Sequence, residues 1–326
     1  MRGASDLIVV DAAGAVMGGA AKYLGELQGY IRRAGRLDIR LTGESRRLTP
    51  AWLARREWSA RGAMLRVALN NAGYVTGHGR NVTLLANALH FATSSELDNL
   101  GYVLPRALAL QTKVVRAAAR RSDILVVPCS SMAERVAHFE PSLADRLAVK
   151  LHPLTQADWA GDRQAGERVV LMPILNAPYK RLGVHLANLL AASSELLNAG
   201  TRICVTAHGS DFAESLRRDA RFDFVGPQSG AKLDALWRKA TAVYFPTEIE
   251  SFGYPLAEAR ANGIPVIALR TDQNREIAGD ALCGYVRDDP SSLQNAVLEA
   301  FTRRIAPDAT AFDPDAYFDW MFGGAA

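Results

Sequence analysis

The chain has 326 residues, 49% of them hydrophobic and 22% charged, with a formal net charge of +4. This is ordinary globular composition, and the length favours two domains over one core. No apolar run reaches the roughly 18 residues that a membrane span requires, and three widely spaced cysteines, Cys129, Cys204 and Cys283, argue for reduced thiols in a cytoplasmic protein rather than a disulfide framework or metal cluster.

Residues 1–160 hold 21 Lys and Arg against 13 Asp and Glu, and the remainder holds 17 against 21. The basic and acidic halves are expected to face different partners. The opening "MRGASDLIVVDAAGAV" reads as a first strand rather than a signal peptide. A helix is predicted over about 19–33, a strand over 37–42 and a helix opened by Thr49-Pro50. Strands follow at 64–69 and 81–86, then a helix over 105–121 and a strand over 123–128. Ser130 or Ser131 is the expected cap of the next helix. The polar, aperiodic stretch 151–168 reads as a linker. Alternation then restarts with strands at 169–175, 202–207, 242–246 and 265–269. Helices are predicted over 181–198, 229–240, from about Tyr254, and over 289–304. The pattern "DPDAYFDWMF" (313–322) predicts a last helix, with Asp313-Pro-Asp315 as its cap. No repeat or low-complexity tract interrupts the series. Such alternation implies an α/β fold of two doubly wound, Rossmann-like halves. The expected division is 1–153, a linker 154–167, a second domain 168–309, and a helix within 310–326 that crosses back to the first. Ligands of such folds bind beyond the carboxyl ends of the strands, here in the cleft between halves.

One stretch concentrates chemistry: "TEIESFGYPLAEARANGIPVIAL", residues 247–269. Glu250 and Glu258 lie eight positions apart. With 14 glutamates in the chain, about half a pair at that spacing arises by chance, so context must carry the argument. The strand before them is apolar, and Pro255 suits the first turn of the following helix. Glu250 therefore sits on the strand-end loop and Glu258 in the first helical turns. Gly253 permits close backbone approach, and the helix start attracts phosphate. Two carboxylates there would repel phosphate unless they address hydroxyls. Phosphate plus polyol means a nucleotide sugar; the plain alternative is a solvated pair of helix-terminal glutamates.

The segment from about 169 to 304 resembles the donor-binding half of retaining glycosyltransferases of family 4, which have the two-Rossmann GT-B fold. The resemblance rests on Glu250-Ser-Phe-Gly-Tyr-Pro-Leu-Ala-Glu258, on "EARANGIPVIAL", on "NREIAGDA" (274–281), and on "FDFVGPQSGAKLDALWRKATAVYFP" (222–246) with Gly226 at its turn. It implies that Glu258 holds the ribose hydroxyls and Glu250 faces the donor sugar. The backbone of Ser251, Phe252, Gly253 and Tyr254 would receive the diphosphate, with Gly209 nearby. His208 reads as a polar loop residue. The family has Gly-Arg and then Lys-Gly after its first donor-half strand. Here Lys180 matches the lysine, no arginine precedes it, and Arg181 stands where a glycine is usual. Donor affinity is the property this departure touches.

The amino-terminal half resembles the family more weakly. Gly18 and Gly19 match its glycine pair, though a tight strand–helix turn explains them equally. The Gly14-to-Gly19 stretch lacks the dinucleotide-binding spacing. His90 matches a histidine that faces the sugar, with a packed core residue as the alternative and His78 as rival. The resemblance implies front-face transfer with retention, no protein nucleophile, no cofactor and no metal. A nucleotide-diphosphate sugar would be the co-substrate, and a small molecule, glycan or lipid-linked compound the acceptor. Nucleic acid is not an expected partner. The alternatives are another nucleotide-sugar enzyme of the same fold, or a weakly active subunit that binds nucleotide and activates a partner. Residues 32–66 carry ten arginines against Asp38, Glu44 and Glu57. The helix at 48–62 mixes Trp52 and Trp58 with Arg55, Arg56 and Arg61. That pattern fits peripheral contact with an anionic surface at the inner face of the membrane, and equally a core-packed helix with solvated arginines.

Overall fold

The computed structural model describes residues 7–157, 159, 168–197 and 200–323. Half of the polar stretch 151–168 expected as a linker, residues 158 and 160–167, therefore lies outside the described residues. The first half contains β1 (Ile8–Asp11), α1 (Gly18–Ala34), β2 (Ile39–Thr42), α2 (Pro50–Ser59), β3 (Leu65–Ala68) and β4 (Arg80–Leu84). It continues with α3 (Ser94–Asn99), α4 (Arg106–Ala119), β5 (Ile124–Val127), α5 (Ser130–Phe139) and β6 (Leu147–Val149). The strands form one parallel sheet in the order β2-β1-β3-β4-β5-β6.

The second half holds β7 (Arg168–Met172), α6 (Leu182–Ser193), β8 (Thr201–Val205), α7 (Glu214–Arg217), β9 (Phe222–Phe224) and α8 (Gly230–Lys239). Then come β10 (Ala242–Phe245), α9 (Tyr254–Ala261), β11 (Val266–Leu269), α10 (Asp272–Ala278), β12 (Leu282–Tyr285), α11 (Pro290–Thr302) and α12 (Pro314–Gly323). Its sheet is also parallel, in the order β12-β11-β10-β7-β8-β9. Both orders are doubly wound, with switch points between β1 and β3 and between β7 and β10.

Burial explains why the apolar runs become strands. Ile8, Val9 and Val10 are buried on both faces of the sheet, as are Val243, Tyr244 and Phe245. On α1 the apolar stripe Tyr23, Leu24, Leu27 and Tyr30 recurs at helical spacing and faces inward. Side-chain caps form at α2, α11 and α12, and those at Thr49 and Asp313 are expected from the sequence. Thr49 accepts from Trp52 N at 3.2 Å, Asp289 from Ser292 N at 2.9 Å, and Asp313 from Asp315 N at 2.9 Å. The start of α5 departs from expectation. Cys129 precedes it, and the Ser130 N–H and hydroxyl both donate to the Glu276 carboxylate of the other half. A carboxylate from across the cleft satisfies that helix terminus. β6 and β12 are short edge strands with few β-branched residues, so they carried no strand signal.

The last helix, α12, packs against α1 of the first half. Tyr30 donates to Asp319 at 2.6 Å, Arg33 pairs with Asp315 at 2.6 Å, and Tyr23 meets Tyr317 and Phe318 edge-on. Among the described residues, no helix is long and apolar enough to cross a membrane. The three thiols are buried and separate, and burial raises Cys129 to about 12 and Cys204 to about 11.

Candidate active site between the two sheets

The two switch points face each other, and a cavity of about 400 Å³ lies between them. The loop after β1 contributes Gly14, Gly18 and Gly19; the loop after β7 contributes Lys180; the loop after β10 contributes Glu250 to Tyr254. The ends of β3 and β4 close the far wall. Close approach explains the glycines. Gly18 has φ +58°, and a Cβ on Gly19 would stand 3.0 Å from the Tyr254 ring. Gly253 has φ +81° and opens α9, where a Cβ would meet Phe245 at 2.8 Å.

Lys180 Nζ stands 3.6 Å from Glu250 Oε2, both partly exposed to the cavity. Ser251 and Phe252 belong to the same loop, but their side chains are committed. Ser251 Oγ donates to Ala86 O at 2.8 Å, and its carbonyl accepts from the Cys129 thiol at 3.2 Å. Phe252 is buried against His152 and Phe312. The Tyr254 hydroxyl donates to Pro153 O at 3.3 Å. What this loop offers a ligand is therefore backbone plus Glu250. The same contacts tie it to the first half.

Glu258 is placed differently. Its side chain is only 7% exposed and pairs with Lys22 of α1. It does not line the cavity, so its expected role at a ribose requires this partner to yield. Arg181 does not join Lys180. It takes a left-handed conformation, φ +48°, at the start of α6 and points into a second cavity of about 630 Å³. There it approaches Glu248 at 3.8 Å and the Asn99 carbonyl at 3.5 Å. Burial opposes ionisation of Glu248, yet His185, Arg287 and Arg181 around it hold its carboxyl below the ordinary value. Arg181, whose reach toward the phosphates the sequence leaves open, does not line the cavity that holds Lys180. Gly209 also lies off the cavity, against Phe224.

His90 is a core residue here and does not line the cavity, which is the packed alternative the sequence offered. It is fully buried in a short 3-10 turn, Nδ1 lies 2.9 Å from Thr112 Oγ1, and its carbonyl accepts twice from Arg116. Burial, aided by Arg116, lowers its pKa to about 4. The rival His78 is exposed and also lies off the cavity.

Two buried groups at the site had no sequence signal. His152, inside the "LHP" stretch that reads as a linker, lines the cavity between Tyr23, Phe252 and Tyr254. Its Nδ1 has no hydrogen-bond partner, and burial pushes its pKa to about 3. At the end of β1, Asp11 accepts from Arg56 at 2.6 Å, Asn70 at 2.8 Å and Trp52 Nε1 at 3.0 Å. Arg56 also donates to Ala72 O and Gly73 O and stacks on Tyr74. The basic helix α2 is thus anchored inward by Arg56 and Trp52, which removes both from any surface patch. Trp58 stays exposed beneath Arg61, 4.3 Å from its ring.

Residues 207–311 match the family described as glycosyl transferases group 1. A stretch of 163 residues, 48% of the chain, is 28% identical to a D-inositol 3-phosphate glycosyltransferase of Corynebacterium kroppenstedtii. That match spans 35% of the relative's length. Among solved structures, WaaG, a glycosyltransferase involved in lipopolysaccharide biosynthesis, superposes with a TM-score of 0.68. Identity is 14%, with 98% of this chain and 100% of WaaG covered. The chain has the GT-B fold. Anabaena HepE, solved in complex with UDP, superposes on this GT-B chain with a TM-score of 0.63 at 14% identity, covering 97% and 95% of the two. The GT-B frame puts the β7–α6 loop, with Lys180, and the β10–α9 loop, with Glu250, on one side of the interdomain cavity. The glycine turn before α1 faces them.

Proposed function

We propose that the cavity binds a nucleotide-diphosphate sugar and that the chain transfers the sugar to an acceptor with retention, without a metal. The observation that carries this reading is the Lys180–Glu250 pair at 3.6 Å. It stands at the start of α9, which no side chain caps; Pro255 has no N–H and the Leu256 N–H donates to Gly253 O at 2.9 Å, so the Gly253–Tyr254 backbone is what faces a phosphate. Lys180 and the Gly253–Tyr254 backbone take the negative charge that develops on the leaving diphosphate. Glu250 orients the sugar through its hydroxyls. The departing phosphate receives the acceptor proton on the same face, which leaves configuration retained. Glu258 takes the ribose hydroxyls once Lys22 yields. In this reading His90 holds the wall of the site and touches no substrate.

A thermal-shift series with UDP, GDP, dTDP and ADP tests the donor class, because a ligand of the folded state raises apparent stability by mass action. UDP is the first probe, given the ligand of HepE. Slow hydrolysis of the matching nucleotide sugar then separates an enzyme from a subunit that binds nucleotide but turns over only with a partner.

For a lipid-linked acceptor we propose α4, rather than α2, as the surface that meets an anionic membrane. Leu110 and Val114, four positions apart on α4, are 65% and 46% exposed, and Val103, in the segment before the helix, is 88% exposed. Arg106 and Lys113 lie on the same helix, and α4 contains no acidic residue. Gln111, on the same helix, lines the cavity. Exposed apolar residues, cations and access to the site therefore coincide on one element.

A further inference from the structure

We infer that Lys22 supplies the second cation of the diphosphate site, an inference that rests on the nucleotide-sugar reading above. The charged side chains that line the cavity are Lys180 and Glu250, which neutralise each other. A nucleoside diphosphate brings two to three negative charges into a partly enclosed site. Burying them against a single lysine already facing a carboxylate is costly. Arg181, the neighbouring cation, is held by Glu248 and the Asn99 carbonyl in the second cavity.

Lys22 is placed to complete the site from the other half. It follows Gly18, Gly19 and Ala20, which line the cavity, and its ammonium lies 5.8 Å from the ring of Tyr254, another lining residue. The side chain is 31% exposed, so it is not locked into the core. Its partner is Glu258, the carboxylate that the nucleotide reading assigns to the ribose. Glu258 thus acts as a holder. It keeps the Lys22 ammonium at the cavity edge while no ligand is bound and gives it up when ribose hydroxyls arrive. A lysine on a flexible four-carbon stem can then swing to the phosphates without a backbone change. Because Lys22 belongs to α1 and Glu258 to α9, the exchange also makes phosphate binding depend on the two halves being closed.

The test compares affinities of the full-length chain for a nucleoside diphosphate, chosen from UDP, GDP, dTDP and ADP by thermal shift, and for its parent nucleoside. Lys22→Met is expected to weaken the diphosphate by about ten-fold or more, with the nucleoside unchanged or tighter, and Lys22→Arg to restore most of the loss. Equal changes for both ligands, in either direction, would overturn the inference and make Lys22 a strap on Glu258 alone. Lys180→Met runs alongside. If it loses diphosphate affinity and Lys22→Met does not, the site stands and the role of Lys22 falls. If no diphosphate binds the wild-type chain, the nucleotide reading itself falls. Should Lys22→Met leave Glu258 unpaired and unfold the chain, Lys22→Met in a Glu258→Gln background, measured against Glu258→Gln alone, reads the same ratio.

Discussion

Two lysine–glutamate pairs flank the start of α9, and they differ in kind. Lys180 and Glu250 come from two loops of one half, stand 3.6 Å apart and share an open cavity. Lys22 and Glu258 come from different halves, 236 positions apart, and the carboxylate is buried. The first pair is displayed to a ligand by one domain. The second exists only while the cleft is shut. Two carboxylates of one motif, eight residues apart, thus belong to different contacts of the molecule: one within the second half, the other between the halves.

The contrast is sharpest for Glu250. If Glu250 orients the sugar as proposed, truncating it removes those hydroxyl contacts, so Glu250→Ala is expected to lower turnover by about 10- to 100-fold, with a small change in nucleotide affinity. That range corresponds to the roughly 1.5–3 kcal/mol of a hydrogen bond to a charged group. Steady-state kinetics with the matched donor decides it. A change confined to KM would place Glu250 in nucleotide binding instead.

Glu258→Ala is expected to act on the nucleoside itself. Affinity for nucleoside and diphosphate should fall together, by about ten-fold net of the freed Lys22. Isothermal titration with both ligands shows whether the loss is shared. Wild-type affinity in this variant, with wild-type turnover in Glu250→Ala, would end the assignment of both.

Lys180→Ala should cost the diphosphate about ten-fold while sparing the nucleoside. Equal losses would make the pair with Glu250 a structural contact.

A smaller effect concerns pH. His152 sits against Phe252 and Tyr254, with its pKa lowered to about 3 by burial, against about 6.5 in an unfolded chain. The unfolded state therefore binds the extra proton between those values. Stability falls as pH drops below about 6.5, at up to about 1.4 kcal/mol per pH unit, and the loss levels off below about 3. His90, at about 4, adds in the same direction. Thermal melts of His152→Phe between pH 5 and 6.5 should show a shallower slope than wild type; an unchanged slope would mean that the imidazole already carries its proton in the fold. The smallest expected effect is that of a chelator. Transfer should continue in EDTA, and abolition with rescue by one divalent ion would replace the metal-free scheme.

Much of the frame was legible in the sequence. Strand runs such as Ile8–Asp11 and Ala242–Phe245 are β-branched or aromatic and become buried central strands. Thr49-Pro50, Asp289-Pro290 and Asp313-Pro314 mark helix starts because capping and the fixed φ of proline act within four residues. Glu250, Phe252 and Gly253 fall on a strand-end loop for the same local reason. The sequence alone did not reveal that His90 and Arg56 point inward. Each carries the polar side chain that suggests a site, and each is held by distant partners: the His90 imidazole by Thr112, and the Arg56 guanidinium by Asp11 and two backbone carbonyls. The sequence by itself determined the elements, their caps and the loop that bears the chemistry, because those depend on periods and contacts a few residues long. Only the tertiary structure decided that Arg181 turns away from Lys180, that His152 joins the cavity, and that Lys22 reaches Glu258. Those outcomes depend on a left-handed turn, a shared aromatic shell and a closed cleft, which bring together residues whose separation along the chain holds no trace of their meeting.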